Sequence, residues 1–298
     1  MRIQTLWIGG ELSRLEHLCL SSFVHHHPGQ VDLYCYDDEV GNVPGGVRIC
    51  DANDIVPASS VFSYFKGSYA GFADLFRWEL LLKQGGYWID TDMLCIRPFD
   101  FEQSIVFGKE TESYGKTFWS AAVGVLKFPA GHPACQTMVD RCLNPHRADR
   151  LDRPAQRWKK WYRRNFTRSI TPVTWGGAGG PKGFAYAIEQ HNLQPYMLDN
   201  TVFYPVHGTL WRSPFDATYE GDYHLFQKTR GVHLWNEMLR SNGFDKNAPY
   251  QEGSLAAYYE QKYVAAKEND RPSLRIFAVH EHQVDDANLE VSSVSRAA

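Results

Sequence analysis

The sequence lacks any long apolar run. None of its 298 residues falls in a stretch approaching the ~20 apolar residues that a membrane-spanning helix needs, so a helical membrane span is excluded. It lacks a basic excess: 31 Lys and Arg stand against 34 Asp and Glu, a formal net charge of −3, which argues against a dedicated nucleic-acid binder. It has no Cys-Xaa-Xaa-Cys. Cys19, Cys35, Cys50, Cys95, Cys135 and Cys142 match neither the spacing of a zinc site nor that of a small disulfide framework, and are expected as reduced thiols. Internal repeats and low-complexity segments are also missing. With 43% hydrophobic and 22% charged residues, disorder of the whole chain is excluded. The opening turns at Gly9-Gly10, too early for a signal peptide, so a cytoplasmic location is expected.

What is abundant is aromatic. Such residues make up 14% of the chain, including 9 Trp and 16 Tyr, enough to supply flat binding surfaces as well as a core. Ile3 to Ile8 reads as a buried strand, Glu11 to Phe23 as a helix, and 31–36 and 47–49 as two further strands. Strand, helix, strand at this spacing predicts a βαβ unit and a parallel sheet. Ser68 to Gln84 reads as a helix stopped by Gly85-Gly86, and Tyr87 to Asp92 as a strand running into a polar end. Strands are expected at 105–107, 121–128 and 201–205, and helices at 141–168 and 184–191. The reading is one α/β domain over 1–284, with a basic helical insertion at 141–168 and a loose tail over 285–298.

Chemistry concentrates at Asp90-Thr91-Asp92. In an extended chain, residues two apart point to the same side, and two neighbouring carboxylates repel unless a cation lies beside them. Such a pair at the carboxyl end of a strand lies where ligands bind in open α/β sheets. A solvated turn is the plainer alternative. Asp74 and Arg77, three residues apart on one helix face, form either an ordinary intrahelical ion pair or a grip for sugar hydroxyls beside the cation site.

Ala73-Asp74-Leu75-Phe76-Arg77 followed by Gly85-Gly86-Tyr87-Trp88-Ile89-Asp90-Thr91-Asp92 resembles the signature of the DXD sugar-transferring glycosyltransferases. That family includes α-1,6-mannosyltransferases and α-1,4-galactosyl- and N-acetylglucosaminyltransferases, and large glucosylating toxins share its core. Leu6-Trp7-Ile8-Gly9 resembles the family's first strand, Gly180-Pro181 its later Gly-Pro turn, and His233-Leu234-Trp235 its C-terminal His-containing motif. The resemblance implies a GT-A fold with a mostly parallel sheet, a nucleotide-sugar donor (UDP-linked, from the closer likeness to the galactosyl branch), a divalent cation (Mn2+ or Mg2+) and retention of anomeric configuration. It implies that Asp74 and Arg77 bind the donor sugar, that Asp90, Thr91 and Asp92 serve the metal and diphosphate, and that Leu6, Trp7, Ile8 and Gly9 border the base. His233 is expected as a third metal ligand, because neutral imidazole adds no charge to repel the diphosphate. Trp235, two residues on, is expected to turn its indole N–H to a phosphate oxygen; a buried strand with a hydrogen-bonded histidine and a core tryptophan is the plainer alternative for both residues.

Gly179, Gly180 and Pro181 belong to a glycine-rich stretch denser than the family pattern, expected as a flexible connection lining the acceptor side. Arg157 to Arg168 carries Trp158, Trp161, Tyr162 and Phe166 at helical spacing among cations. It reads either as a core-docked helix with a solvated basic face or as an interfacial helix on anionic lipid, at the inner face of the membrane, which suits a lipid-linked glycan acceptor. His25-His26-His27 reads as a helix end where imidazolium is tolerated. The function expected is hexose transfer to a glycan or glycolipid hydroxyl. The rivals are a toxin-like protein glycosyltransferase and a non-catalytic sugar-binding module.

Overall fold

The computed structural model describes residues 1–37, 39–64, 67–110, 121–150, 152–167, 169–174, 176–217 and 227–264. The tail expected over 285–298 lies outside the described residues. In chain order the elements are β1 (Ile3–Trp7), α1 (Arg14–His26), β2 (Val31–Cys35), β3 (Val47–Asp51), α2 (Ala70–Gln84), β4 (Gly86–Ile89), β5 (Met93–Cys95), β6 (Val106–Lys109) and β7 (Ala121–Phe128). They continue as α3 (Pro133–Leu143), α4 (Pro154–Phe166), α5 (Pro181–Gln190), β8 (Met197–Leu198), α6 (Asn200–Phe203), β9 (Gly231–His233), α7 (Asn236–Ser241) and α8 (Leu255–Tyr263).

Seven strands form one sheet in the order β3-β2-β1-β4-β7-β6-β8, and β5 with β9 forms a two-stranded antiparallel pair. β1 pairs in parallel with both β2 and β4, and only β7 opposes its neighbours. The expected mostly parallel α/β sheet is therefore present. The chain winds outward from β1 through β2 to β3, then returns to the other side of β1 as β4. The carboxyl ends of β1 and β4 thus flank the point where the strand order reverses, the place where such sheets bind ligands.

Each face of the sheet is covered. Phe72, Phe76, Trp78 and Leu80 of α2 pack with Trp88, Phe107, Leu126, Met138 and Phe184 on one side. Leu20 and Phe23 of α1 pack with Ile3, Leu33, Ile89, Val125 and Phe203 on the other. α1 begins later than its apolar spacing predicts, because Ser13 caps it with Glu16 in a reciprocal capping box and Glu11 is held out in a bridge to Gly41. α2 stops at Gly85 (φ 64°), where a Cβ would lie 2.5 Å from the Ala130 nitrogen, so glycine is required for both its torsion and its clearance.

Four expectations are corrected. The strand expected over 201–205 is instead α6, whose start is set by Asp199 accepting from the Thr201 N–H. The helix expected through 141–168 is two helices: α3 ends at Leu143, and α4 starts only at Pro154, which is preorganised for a first helical position. The strand expected to run to Asp92 ends at Ile89. At the end of α1, burial, with help from neighbouring cationic groups, opposes the imidazolium form expected there: it lowers His25 and brings His26 down to about 4. Burial also lowers His27, which accepts the Phe99 N–H at Nε2. The six cysteines are free, as expected.

Candidate active site

After β4 the chain makes a tight turn. The Asp90 N–H donates to Gly124 O at 2.8 Å and the Met93 N–H donates back to Asp90 O at 3.1 Å, so Asp90, Thr91 and Asp92 lie in a turn between the large sheet and β5. The same-side argument for an extended Asp-Thr-Asp therefore does not apply. The turn itself brings the two carboxylates together, and antiparallel pairing of Met93 with His233 sets an imidazole beside them. Asp90, Asp92 and His233 each offer a ligand atom, all within 4.8 Å of one another.

Each member is held from behind. Asp90 Oδ1 accepts from Trp88 Nε1 at 2.9 Å and from Arg77 Nη2 at 3.1 Å. Asp92, buried, accepts the Asn236 N–H at 2.7 Å and lies 3.3 Å from His233 Nε2. Burial opposes ionisation of Asp92, but His233 and the Asn236 N–H outweigh it and lower its pKa. For His233, burial opposes protonation while Asp92 and then Asp90 favour it, and the net direction is upward. His233 Nδ1 is buried without a hydrogen-bond partner among the described residues. Two carboxylates and an imidazole with an orphaned nitrogen fit a hard divalent cation such as Mn2+ or Mg2+. The donor set suits the group that the sequence implies.

Arg77 is the hub behind this cluster. It is 5% exposed, donates from Nη1 to Val123 O at 3.1 Å, lies 3.5 Å from Asp74 Oδ1, and stacks 5.2 Å above the Trp88 ring. Burial pushes the Asp74 carboxyl up to about 6, with Arg77 opposing the rise and Asp90 adding to it. Behind Asp74 stands the glycine loop. A Cβ on Gly179 would lie 2.7 Å from Asp74 Cβ and 2.5 Å from Cys142 Sγ, and one on Gly180 would lie 3.3 Å from Asp74 Oδ2. Only a backbone stripped of side chains approaches this closely. The loop expected as a flexible connection is in fact pinned: Trp78 Nε1 donates to Gly179 O at 2.7 Å and Arg141 Nη2 to Gly177 O at 3.0 Å. Pro181 opens α5 directly behind it.

Two stretches of the chain match family models. Residues 59–143 match the model for capsular polysaccharide synthesis proteins, and residues 188–262 match the conserved region of alpha 1,4-glycosyltransferases. The chain resembles glycosyltransferases. The two matched stretches meet in space at the ligand set, since Asp90 and Asp92 come from the first and His233 from the second. No curated protein matches the sequence. Among solved structures, the PaToxG glycosyltransferase overlays with a TM-score of 0.44 at 14% identity, covering 91% of this chain and 80% of the other. The ligand-free glycosyltransferase domain of the YGT toxin overlays with a TM-score of 0.42 at 11% identity, covering 68% and 80%.

Of the residues singled out from sequence, Asp74, Arg77, Asp90, Asp92, His233, Gly179 and Gly180 form one connected group. Leu6 is buried in the core with Trp88, while Ile8 and Gly9 emerge at the carboxyl end of β1. Trp7 packs on the same apolar cluster as Trp235, and its indole nitrogen is buried without a hydrogen-bond partner among the described residues. Trp235 departs from expectation. It takes a left-handed conformation (φ 57°) ahead of α7, and its indole N–H donates to Val206 O at 2.9 Å, so that N–H is not free for a phosphate. Its ring meets His233 edge-on at 4.5 Å and braces it. Sequence reasoning missed Trp88, Asn236, Tyr204 and Tyr64. Tyr204 Oη accepts the Val125 N–H at 3.1 Å beside Asp90, with Gly124 leaving the room. Tyr64 lies against Gly71 near Asp74, and the glycine in the first turn of an apolar helix was the signal for it.

Proposed function

We propose that this protein is a metal-dependent glycosyltransferase that moves a hexose from a UDP-linked donor to a hydroxyl of a glycan or glycolipid, with retention at the anomeric carbon. The observation that carries the reading is the Asp90–Asp92–His233 set at the switch point of the sheet, with the Arg77–Asp74 pair against it. The likeness to an alpha 1,4-glycosyltransferase region supports the retention proposed, since an α-linked product made from an α-linked nucleotide sugar would be net retention.

Asp90, Asp92 and His233 are assigned to hold the divalent ion. Bound there, a divalent ion supplies positive charge to a leaving diphosphate. The chain's own groups do the positioning. Trp88 and Arg77 fix one oxygen of Asp90 and leave the other free to ligate. Asp74, at the edge of the site, accepts hydrogen bonds from hydroxyls of the donor sugar, and Arg77 keeps it oriented. Ile8 and Gly9, at the end of β1, border the base. The Gly176–Gly180 backbone walls the acceptor side.

The test is donor hydrolysis and transfer, with and without manganese. Asp92→Asn retains an acceptor for the Asn236 N–H, so the fold should survive while turnover falls by at least a hundredfold, as for loss of a transition-state electrostatic group. Near-normal turnover in that variant would refute the assignment. Arg77→Ala should weaken nucleotide-sugar binding much more than nucleotide binding, and equal losses would reduce Asp74 and Arg77 to a structural ion pair.

A further inference from the structure

α4 is built inside out. A helix on a globular protein ordinarily turns its apolar stripe to the core. Here Lys160 faces inward, buried, 2.8 Å from Asp152 and 3.5 Å from Asp149. Trp158 and Tyr162, two residues either side of it, point roughly 160° away round the helix. Trp158 is 62% exposed, Trp161 54% and Phe166 63%. The rings form a continuous ladder: Trp158 stacks on Tyr162 at 5.7 Å, Tyr162 on Phe166 at 5.4 Å, and Trp161 meets Phe166 edge-on at 5.4 Å. Arg157 and Arg164 border the ladder on one side, Lys159 and Arg163 on the other. The thirteen residues of α4 contain no Asp or Glu, in a chain whose formal net charge is −3.

We propose that α4 seats the protein on an anionic lipid bilayer, with the ring ladder in the headgroup layer and Lys159 and Arg164 on lipid phosphates. A contiguous exposed aromatic surface marks a contact site. Indole and phenol rings with polar tips, flanked by Lys and Arg, are the composition that lies in a membrane interface. A single exposed helix is a convex ridge, which suits a deformable planar surface better than a preformed groove on a protein. The helix is fastened to the body on its inner side by polar contacts, which leave the ladder free: Lys160 to the two aspartates, Arg157 Nη2 to Asp149 O at 3.2 Å, and Arg163 Nη1 to Thr171 O at 2.7 Å.

The seating also reaches the site. Asp149 pairs with Arg141 at 3.1 Å as well as with Lys160, and Arg141 holds Gly177 of the loop that abuts Asp74. A protein lying on α4 thus has its glycine loop tied to the bilayer-facing helix. Docking on lipid stands independently of the transfer reaction. The consequence that the acceptor is lipid-linked rests on the function proposed above.

The experiment is flotation of the full chain with vesicles of phosphatidylcholine alone and of phosphatidylcholine mixed with phosphatidylglycerol, at low and high salt. The parent should float with the anionic vesicles at low salt, stay behind with the neutral ones, and be released by high salt, because the attraction is screened. Arg164→Gln and Lys159→Gln should each weaken partitioning about fivefold. Trp158→Ala with Trp161→Ala should weaken it further while donor hydrolysis in solution stays at the parent rate. Absence of flotation at low salt, or flotation unchanged by these substitutions, would overturn the proposal. So would a parent that elutes as a dimer and becomes monomeric on loss of the two tryptophans without ever binding vesicles, since the ladder would then join two copies of the chain.

Discussion

Replacing Arg77 by methionine tests whether one buried guanidinium holds the site together. Methionine keeps the aliphatic stem and removes the charge. Three groups lose their partner. Val123 O, inside the sheet, loses the donor at 3.1 Å. Asp90 loses one of its two donors but keeps Trp88 Nε1 at 2.9 Å. Asp74 loses the cation that opposes its burial. An orphaned buried carbonyl costs about 1–3 kcal/mol, and removing one member of a buried ion pair about 3–5 kcal/mol. The terms share the same atoms, so the expected loss is about 3–5 kcal/mol rather than their sum. Urea denaturation at pH 8 would read this as a lower midpoint at unchanged slope. The loss should also depend on pH. Asp74 already stands at about 6, raised by burial, and without Arg77 it should stand higher. A carboxyl raised in the folded state binds more protons there than when unfolded, so stability grows as pH falls through its folded value. The gap between variant and parent should therefore narrow on going from pH 8 to below pH 6. Adding Asp74→Asn should recover part of the loss. A deficit under about 1 kcal/mol at pH 8 would contradict the placement of Arg77, since that is the range of a surface pair, and so would a deficit indifferent to both pH and Asp74→Asn.

Gly179→Ala should lower donor-sugar binding and stability together, because its Cβ would press on Asp74 Cβ and Cys142 Sγ at 2.7 and 2.5 Å. Adding Cys142→Gly should restore part of both, read by calorimetry and thermal melts. Acid should loosen the docking of α8 on α1. His26 is lowered to about 4 by burial and by neighbouring cationic groups, so stability should fall as pH drops from 6.5 toward 4, and His26→Gln should flatten that slope in urea titrations. Trp235→Phe should keep the edge contact with His233 but orphan Val206 O. The expected result is a lower melting temperature with little change in manganese affinity, which a parallel metal titration would check.

Much of this was legible in the sequence where one signal dominated. β1, β2, β7 and α2 are apolar runs closed by glycine or acidic turns, and they lie within a few residues of where the pattern puts them. The side chains of the ligand set were readable as residue types. Their arrangement was not, because an Asp-Thr-Asp suits a strand end and a turn equally, and the decision falls to Gly124 O and the Met93 N–H. Periodicity identified α4 as amphipathic without revealing which face turns inward. That is decided by Asp149 and Asp152, loop residues whose pairing with Lys160 no helical pattern shows. The orientation of Trp235 is hidden for a related reason: its left-handed backbone breaks the extended alternation that His233-Leu234-Trp235 suggests. The backing residues Trp88, Tyr204 and Asn236 act through hydrogen bonds to atoms 2, 79 and 144 positions away, and the last two of those separations are beyond any local motif.

The central claim is that Asp90, Asp92 and His233 jointly hold a divalent cation used with a nucleotide-sugar donor. The most direct test is thermal unfolding with manganese and UDP added separately and together, on the parent and on Asp92→Asn and His233→Ala. A ligand at a hundred times its Kd stabilises the folded state by about 2.7 kcal/mol, a rise of roughly 4–5 °C for a chain of this size. The parent should show that rise with both additions and a much smaller one with either alone, and both variants should lose it. An equal rise in parent and variants would contradict joint binding by the three residues.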